Sequence, residues 1–198
     1  MLIFYFAPGS SSMATHIALH EVGAPFEPRL LSFKNKEQQR PDYLALNPEG
    51  KVPALVIDGR VLTEVAATLY YLAKTYPAAG LWPPGGIEEE AQAISWMSFI
   101  AATVHPARRA GEARWREVFR LCEQRLAGRP WAVGGRYSLA DIHLFRLYWR
   151  FVDALGPQAD YPGLTAHYDR MMARWAVRKT IEIEAAIGYE FPLGAGTR

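Results

Sequence analysis

The sequence predicts an α/β unit of βαβ-ββα order followed by an all-helical unit. Three observations carry this. Short apolar runs bounded by turn residues occur only in roughly the first 76 residues, an Asp58-Gly59 pair separates two of them, and from Glu88 onward the apolar positions recur at helical spacing alone. Between the two regimes, Pro77 to Gly86 holds three prolines and three glycines, a composition suited to a boundary. The expected division is therefore one domain over 1–77 and a second over 87–198, joined by 78–86.

Leu2 to Phe6 is apolar, rich in aromatics and too short for a buried helix, so it reads as a strand. Pro8-Gly9 breaks it. Ser10, Ser11 and Ser12 then offer hydroxyls to cap a helix over 13–22, whose Ala14, Ile17, Ala18 and Val22 share one face. Gly23 is the expected stop. Phe26 to Leu31 reads as a second strand, placed at an edge by Pro28, which cannot donate to a ladder. A helix between these strands implies a parallel, right-handed connection. Lys34 to Pro41 is polar loop or short helix, and Asn47-Pro48-Glu49-Gly50 is a dense turn signal. Ala54 to Ile57 and Arg60 to Leu62 flank Asp58-Gly59 as an antiparallel hairpin. Thr63-Glu64 opens another helix, with Ala66, Leu69, Tyr70 and Ala73 on its apolar face.

In the second half, Glu88, Glu89 and Glu90 suit a helix start, and Trp96, Phe99, Ile100, Thr103 and Val104 form its stripe. His105-Pro106 is expected to end or kink it. A helix over 112–126 stops at Gly128. Ser138 and Asp141 have capping-box spacing, and the following run from Ile142 to Val152 is apolar nearly all round, which predicts a buried central helix. Two further helices fit Leu164 to Trp175 and Lys179 to Ile187, and the tail from Pro192 is expected to be loose.

Half of the 198 residues are hydrophobic and 13% are aromatic, enough for a real core, and the formal charge is +2. With no basic run and no basic groove to accompany the aromatics, nucleic-acid binding is disfavoured. A single cysteine, Cys122, forbids an intramolecular disulfide and suits a reducing, cytoplasmic setting. No run approaches the ~20 apolar residues of a membrane helix.

A hydroxyl at a helix N-terminus faces unpaired N–H groups and the positive end of the helix dipole, so an anionic group is expected at Ser10–Ser12. Capping alone is the competing role for these serines. His16 and His20 stand at i, i+4, but with no third ligand nearby in sequence no metal site is expected. P-loop, GxGxxG and GxSxG motifs are absent. His143 and His167 read as ordinary surface or partly buried residues. The remaining candidates are the serines, Val52 before Pro53, Glu64 at a helix start and His105 at a helix end.

Two passages, Phe4-Tyr-Phe-Ala-Pro-Gly-Ser-Ser-Ser12 with His16-Ile-Ala-Leu19 and Leu46-Asn-Pro-Glu-Gly-Lys-Val-Pro-Ala-Leu55, closely resemble bacterial beta-class glutathione S-transferases. So do Leu62-Thr-Glu64, Ile94-Ser-Trp96, Val104-His105 and Gly134-Gly-Arg-Tyr-Ser-Leu-Ala-Asp-Ile142, in the family's order across essentially the whole chain. The resemblance implies a thioredoxin-like N-terminal domain, an all-helical C-terminal domain, a homodimer, and reduced glutathione as co-substrate without a metal. It further implies a cis Val52–Pro53 bond, pairing of the Val52 backbone with the cysteinyl moiety, and Glu64 and Val65 at the γ-glutamyl end. A basic contact from Lys36 or Lys34 belongs to the same set. Ser11, with Ser10 as a substitute, is expected to stabilise the thiolate beside His105.

Three departures stand out. Ser11 replaces the cysteine usual in the class, so no mixed disulfide forms there. Val65 replaces a residue often Ser or Gly, and Pro106 one often lysine. The expected activity is conjugation of glutathione to a hydrophobic electrophile held by apolar positions around His105 and Trp115, a detoxification chemistry. The alternatives are a non-catalytic binding or assembly protein on the same fold, which Val65 and Pro106 favour, or a glutathione-dependent peroxidase, isomerase or dehalogenase.

Overall fold

The computed structural model describes residues 1–156 and 159–190. A four-stranded sheet has the order β2-β1-β3-β4, with β1 at Leu2–Phe6, β2 at Phe26–Leu30, β3 at Ala54–Ile57 and β4 at Arg60–Thr63. β1 pairs parallel with β2 and antiparallel with β3, which pairs antiparallel with β4. β2, carrying Pro28, is an edge strand as expected. Asp58 and Gly59 both take positive φ, 47° and 84°, as the tight hairpin requires.

Along β1 the pleat separates two packing faces. Leu2, Phe4 and Phe6 are buried in the main core with α1 (Ser12–Val22) and α3 (Val65–Thr75). Tyr5 turns to a smaller cluster of Ala7, Leu31, Tyr43, Val52 and Ala54, covered by α2 (Pro41–Leu46). Helix α1 is buried from Ser12 to Leu19 rather than along one face, because C-terminal helices cover the side away from the sheet. Those helices are α7 (Leu139–Leu155) and α9 (Trp175–Ile187). On α3 the outlier is Tyr70, which is 47% exposed and packs edge-on against Trp82.

The helical half comprises α4 (Gly86–Phe99), α5 (His105–Ala107), α6 (Glu112–Leu126), α7, α8 (Pro162–Met172) and α9. Helix α7 is the central one, buried continuously from Leu139 to Phe151. Asp141 closes its N-terminus, accepting from the Ser138 N–H at 2.8 Å and from the Ala132 N–H at 2.8 Å. Trp115, Phe119, Tyr148, Phe151 and Tyr161 pack ring against ring between α6 and α7. Each buried aromatic of this kind contributes roughly 1.5–3 kcal/mol.

Three sequence expectations are corrected. His105-Pro106 does not end the helix. A π turn over Ile100–Val104 precedes it, the His105 N–H bonds to the Ile100 carbonyl, and the chain continues helically to Ala110. The widened turn relieves the clash a proline ring makes with the carbonyl four residues back. α8 ends at Met172, and Trp175 begins α9 instead of closing α8, four residues earlier than Lys179. His143 and His167 are buried at 3% and 0% exposure, and His167 Nε2 lies 3.0 Å from Asp141 Oδ1. The tail from Pro192 lies outside the described residues. Among the described residues no helix is long and apolar enough to cross a membrane.

Candidate active site

The loop from β1 to α1 carries the three serines, and their hydroxyls face different partners. Ser11 Oγ donates to the Val52 carbonyl at 3.1 Å and makes no cap bond to the helix it precedes. Ser10 Oγ lies 2.7 Å from Ser12 Oγ and accepts from the Ser12 N–H at 3.2 Å. Ser12 is fully buried and bridges both the N–H and the carbonyl of Ala7. Ser10 and Ser12 therefore hold the loop together, while the partly buried Ser11 turns its hydroxyl to Val52. Capping by Ser11, one of the two roles read from the sequence, is not what the geometry shows.

Two buried ionic side chains from the helical half grip this loop. Arg146 of α7 donates through Nε to the Ser10 carbonyl at 2.8 Å and through a terminal nitrogen to the Gly9 carbonyl at 2.5 Å. Burial lowers its pKa to about 9, so it remains a cation at neutral pH. Glu184 of α9, fully buried, accepts from the Gly9 N–H at 2.6 Å and sits 2.8 Å from His16 Nδ1. Neither residue was singled out in the sequence. The available signals were an arginine inside the apolar run Leu144-Phe-Arg-Leu-Tyr148 and a glutamate inside Ile183-Glu-Ala-Ala-Ile187. His16 is thus paired with Glu184, and among the described residues no group of acids, histidines and cysteine has a metal-holding arrangement.

Across from Ser11, the Val52–Pro53 bond is cis, as the resemblance implies. Both residues are buried. The segment before them is fixed by the Lys51 carbonyl, which accepts from Tyr43 Oη at 2.5 Å and from the Asn47 side-chain amide at 2.8 Å. Glu64 is the residue before α3 and holds φ 67°, ψ 127°. A non-glycine residue at positive φ costs on the order of 1–3 kcal/mol, which here sets an exposed carboxylate at a helix N-terminus. Val65, the first residue of α3, is buried, and its carbonyl accepts from Thr68 Oγ1, which lies 2.7 Å from Thr15 Oγ1 of α1. The N-termini of α1 and α3 are joined in this way. Lys34 and Lys36 are both exposed on the loop after β2, with Lys36 at φ 54° and the Lys34 N–H on the Glu190 carboxylate. The structure joins neither lysine to Ser11 or Glu64 by a hydrogen bond or ion pair.

His105 begins α5 in the helical half. Its imidazole is exposed, and loss of solvation, followed by repulsion from Arg146, Arg109 and Lys51, lowers its pKa to about 4. It is neutral at pH 7 and offers a ring N–H or a lone pair rather than a charge. Lys51, the residue before Val52, pairs with Glu49 at 2.7 Å, and this bond raises its pKa. Trp115 is buried beneath Arg108, whose guanidinium carbon stands 6.0 Å from the ring centre. Of the positions expected to hold the electrophile, Trp115 thus meets a cationic side chain. A separate concavity of about 510 Å³ at the C-terminal end of α1, lined by His20, Trp131, Arg174 and Trp175, lies away from the serines.

Family models of the glutathione S-transferase N-terminal domain and C-terminal domain match residues 1–74 and 90–174. A glutathione S-transferase of Xanthomonas campestris pv. campestris is 33% identical, the alignment covering 91% of this chain and 97% of that one. A sphingomonad glutathione S-transferase solved with glutathione has a TM-score of 0.83 at 32% identity, covering 92% of this chain and 98% of its own. A beta-class enzyme of Sphingomonas chungbukensis has a TM-score of 0.82 at 31% identity, with 92% and 98% covered.

Proposed function

The chain belongs to the glutathione S-transferase family, and from that premise we propose that it binds reduced glutathione between Ser11, Val52 and Glu64 and transfers its sulfur to an electrophile in the cleft. The observation that carries the reading is the pairing of Ser11 Oγ with the Val52 carbonyl beside the N-terminus of α1. A cysteinyl N–H taking over that carbonyl frees the Ser11 hydroxyl to donate to the sulfur. Glutathione supplies the nucleophile: its sulfur bonds to the electrophilic carbon, the leaving group departs with its electron pair, and the thiol proton passes to solvent.

The magnitudes are compatible. A thiol of pKa about 8.5 is roughly 3% ionised at pH 7, and lowering it to ~6.5 requires about 2.7 kcal/mol of selective anion stabilisation. A hydrogen bond to a charged partner contributes about 1.5–3 kcal/mol, and a helix N-terminus about 0.3–1 kcal/mol. Ser11 needs to act neither as base nor as nucleophile. His105, neutral at pH 7, is the second group proposed to donate a hydrogen bond to the sulfur. The switch from sheet to helices supports a glutathione-binding unit over 1–77 and a helical unit over 87–198 joined by 78–86, in a cytoplasmic protein.

Retention on immobilised glutathione followed by a thiolate absorbance titration tests the reading. Retention without a lowered thiol pKa would identify a binding protein instead. Glu64→Gln is expected to weaken glutathione by about 1–3 kcal/mol, the scale of one charge-assisted bond to the γ-glutamyl ammonium. Unchanged affinity in calorimetry removes Glu64 from the site. The family likeness also supports a two-fold homodimer, and sedimentation equilibrium at micromolar concentration is expected to return twice the chain mass.

A further inference from the structure

We infer that Glu190, where the chain returns from α9 to the N-terminal unit, is a positioning residue for glutathione: it fixes the loop after β2 so that the loop's lysines meet the glycyl carboxylate. The inference deepens the transferase reading and rests on it. Its basis is a hydrogen-bonded clasp between residues 158 positions apart. Glu190 Oε1 and Oε2 accept from Ser32 Oγ at 2.9 and 2.8 Å, and Oε2 also accepts from the Lys34 N–H at 2.9 Å. Ser32 Oγ in turn accepts from the Asn35 N–H at 3.1 Å, and the Ser32 N–H donates to the Glu37 carboxylate at 2.8 Å. The Lys34 N–H, ahead of the other donors, holds the Glu190 carboxyl below its ordinary range, so it is an anion at neutral pH.

Both sides of the clasp are anchored. Gly188 takes φ 98°, a value that suits glycine, and turns the chain off the end of α9. Tyr189 then packs edge-on against Trp149 of α7, with ring centres 5.4 Å apart. Glu190 is thus presented from the helical half. On the other side, the Leu31 N–H donates to the Phe6 carbonyl at 2.8 Å, and Leu31 lies with Ala7 and Val52 in the smaller apolar cluster, against which Phe33 packs. The loop therefore abuts the residue that the glutathione reading places at the cysteinyl moiety. With the γ-glutamyl ammonium at Glu64, the charged group of glutathione still to be held is the glycyl carboxylate, which needs a cation. Lys51, beside Val52, is paired with Glu49 at 2.7 Å, and Arg40 with Glu37 at 3.6 Å. Among the described residues Lys34 and Lys36 form no ion pair and are exposed. Lys36 also holds φ 54°, a conformation that lasts only where the surroundings impose it. The clasp on Ser32 and Lys34 imposes it from one side.

Calorimetry on the full chain with glutathione and with γ-glutamylcysteine, which lacks the glycine, tests the assignment. Glu190→Ala is expected to weaken glutathione about 3- to 5-fold, the worth of one exposed ion pair, and γ-glutamylcysteine by less than about 1.5-fold. KM for glutathione is expected to rise by the same factor with kcat retained, because the sulfur and Ser11 are untouched. Glu190→Gln, which keeps one acceptor for the Lys34 N–H, is expected to fall between. Ser32→Ala removes the other half of the clasp, so adding it to Glu190→Ala is expected to cost no more than either change alone. A purely structural clasp would lower the unfolding midpoint and leave the ratio of the two affinities as in the native chain. That unchanged ratio overturns the inference, and so do additive losses in the double variant. Tighter glutathione binding by Glu190→Ala also overturns it, since the carboxylate would then only offset the lysines. Failure of the native chain to bind glutathione overturns the transferase reading together with the inference, whereas native binding with an unchanged ratio overturns the inference alone.

Discussion

Replacing Ser11 by alanine is expected to raise the pKa of the bound glutathione thiol by roughly one to two units and to lower the rate 10- to 100-fold near neutrality. The sign follows from what the hydroxyl does for each protonation state. Its hydrogen bond is stronger to the thiolate than to the neutral thiol, so its loss costs the anion more and the pKa climbs. Above the new pKa both proteins are fully ionised and the rates converge, so the deficit is largest at low pH and shrinks as pH rises. Affinity for glutathione below pH 6 is expected to change little. Because Ser11 makes no cap bond to α1, the variant is not expected to show the ~1 kcal/mol stability loss of a removed N-cap. It also frees the Val52 carbonyl, which a cysteinyl N–H can then take without competition. Ser11→Cys is expected to recover part of the activity and to form a mixed disulfide with glutathione that the native residue cannot form. Absorbance of the thiolate against pH, measured for both proteins, is the check. Superimposed curves would remove Ser11 from the chemistry and leave Ser10, whose hydroxyl faces Ser12, or His105.

What the sequence revealed and what it concealed divide along the range of the interactions. The four strands, the Asp58-Gly59 turn and the buried helix α7 are readable because local pattern decides them: alternation, paired positive φ and an unbroken apolar surface. The passages that carry the family resemblance are readable because each, Val52-Pro53 or Thr63-Glu64, lies within one short stretch. The partners of the serine loop leave no such mark. Ser11 reaches Val52 across 41 positions, Arg146 reaches Gly9 across 137 and Glu184 reaches Gly9 across 175. Serines before a helix suggest capping in any sequence, and only the tertiary arrangement turns the Ser11 hydroxyl elsewhere. The π turn before Pro106 is concealed for a related reason. Proline predicts a break from backbone sterics alone, and a one-residue expansion of the preceding turn removes the clash without altering any side-chain pattern. Trp115 illustrates the same limit at the cleft, since an aromatic near His105 reads as pocket lining until Arg108 is seen to cover it.

Arg146→Met is expected to have the largest effect of any single change in the loop's support. The guanidinium fills two roles through its planar geometry, holding the Gly9 and Ser10 carbonyls together from a side chain only 7% exposed. Methionine keeps much of the volume but leaves both carbonyls without these donors, at roughly 1–3 kcal/mol for each buried unsatisfied group. A net loss of about 2–4 kcal/mol in denaturant unfolding is therefore expected, reduced where water reaches the Ser10 carbonyl from the cleft. Glu184 still holds the Gly9 N–H, so the loop is expected to loosen on its Ser10 side while remaining anchored behind. The consequence for function is that Ser11 loses its fixed relation to Val52, and the bound thiol's pKa rises in parallel with the Ser11→Ala variant. Arg146→Lys separates charge from geometry: a lysine retains the cation but not the paired donors, so it is expected to recover solubility and folding more fully than the thiol pKa. A purely structural arginine would instead change the unfolding midpoint and leave the thiol titration of the folded fraction where it was. Coincident thiol titrations for wild type and Arg146→Met, measured below the variant's melting temperature, would show that the loop holds its shape without the guanidinium and that Ser11 is positioned by Val52 and Glu184 alone.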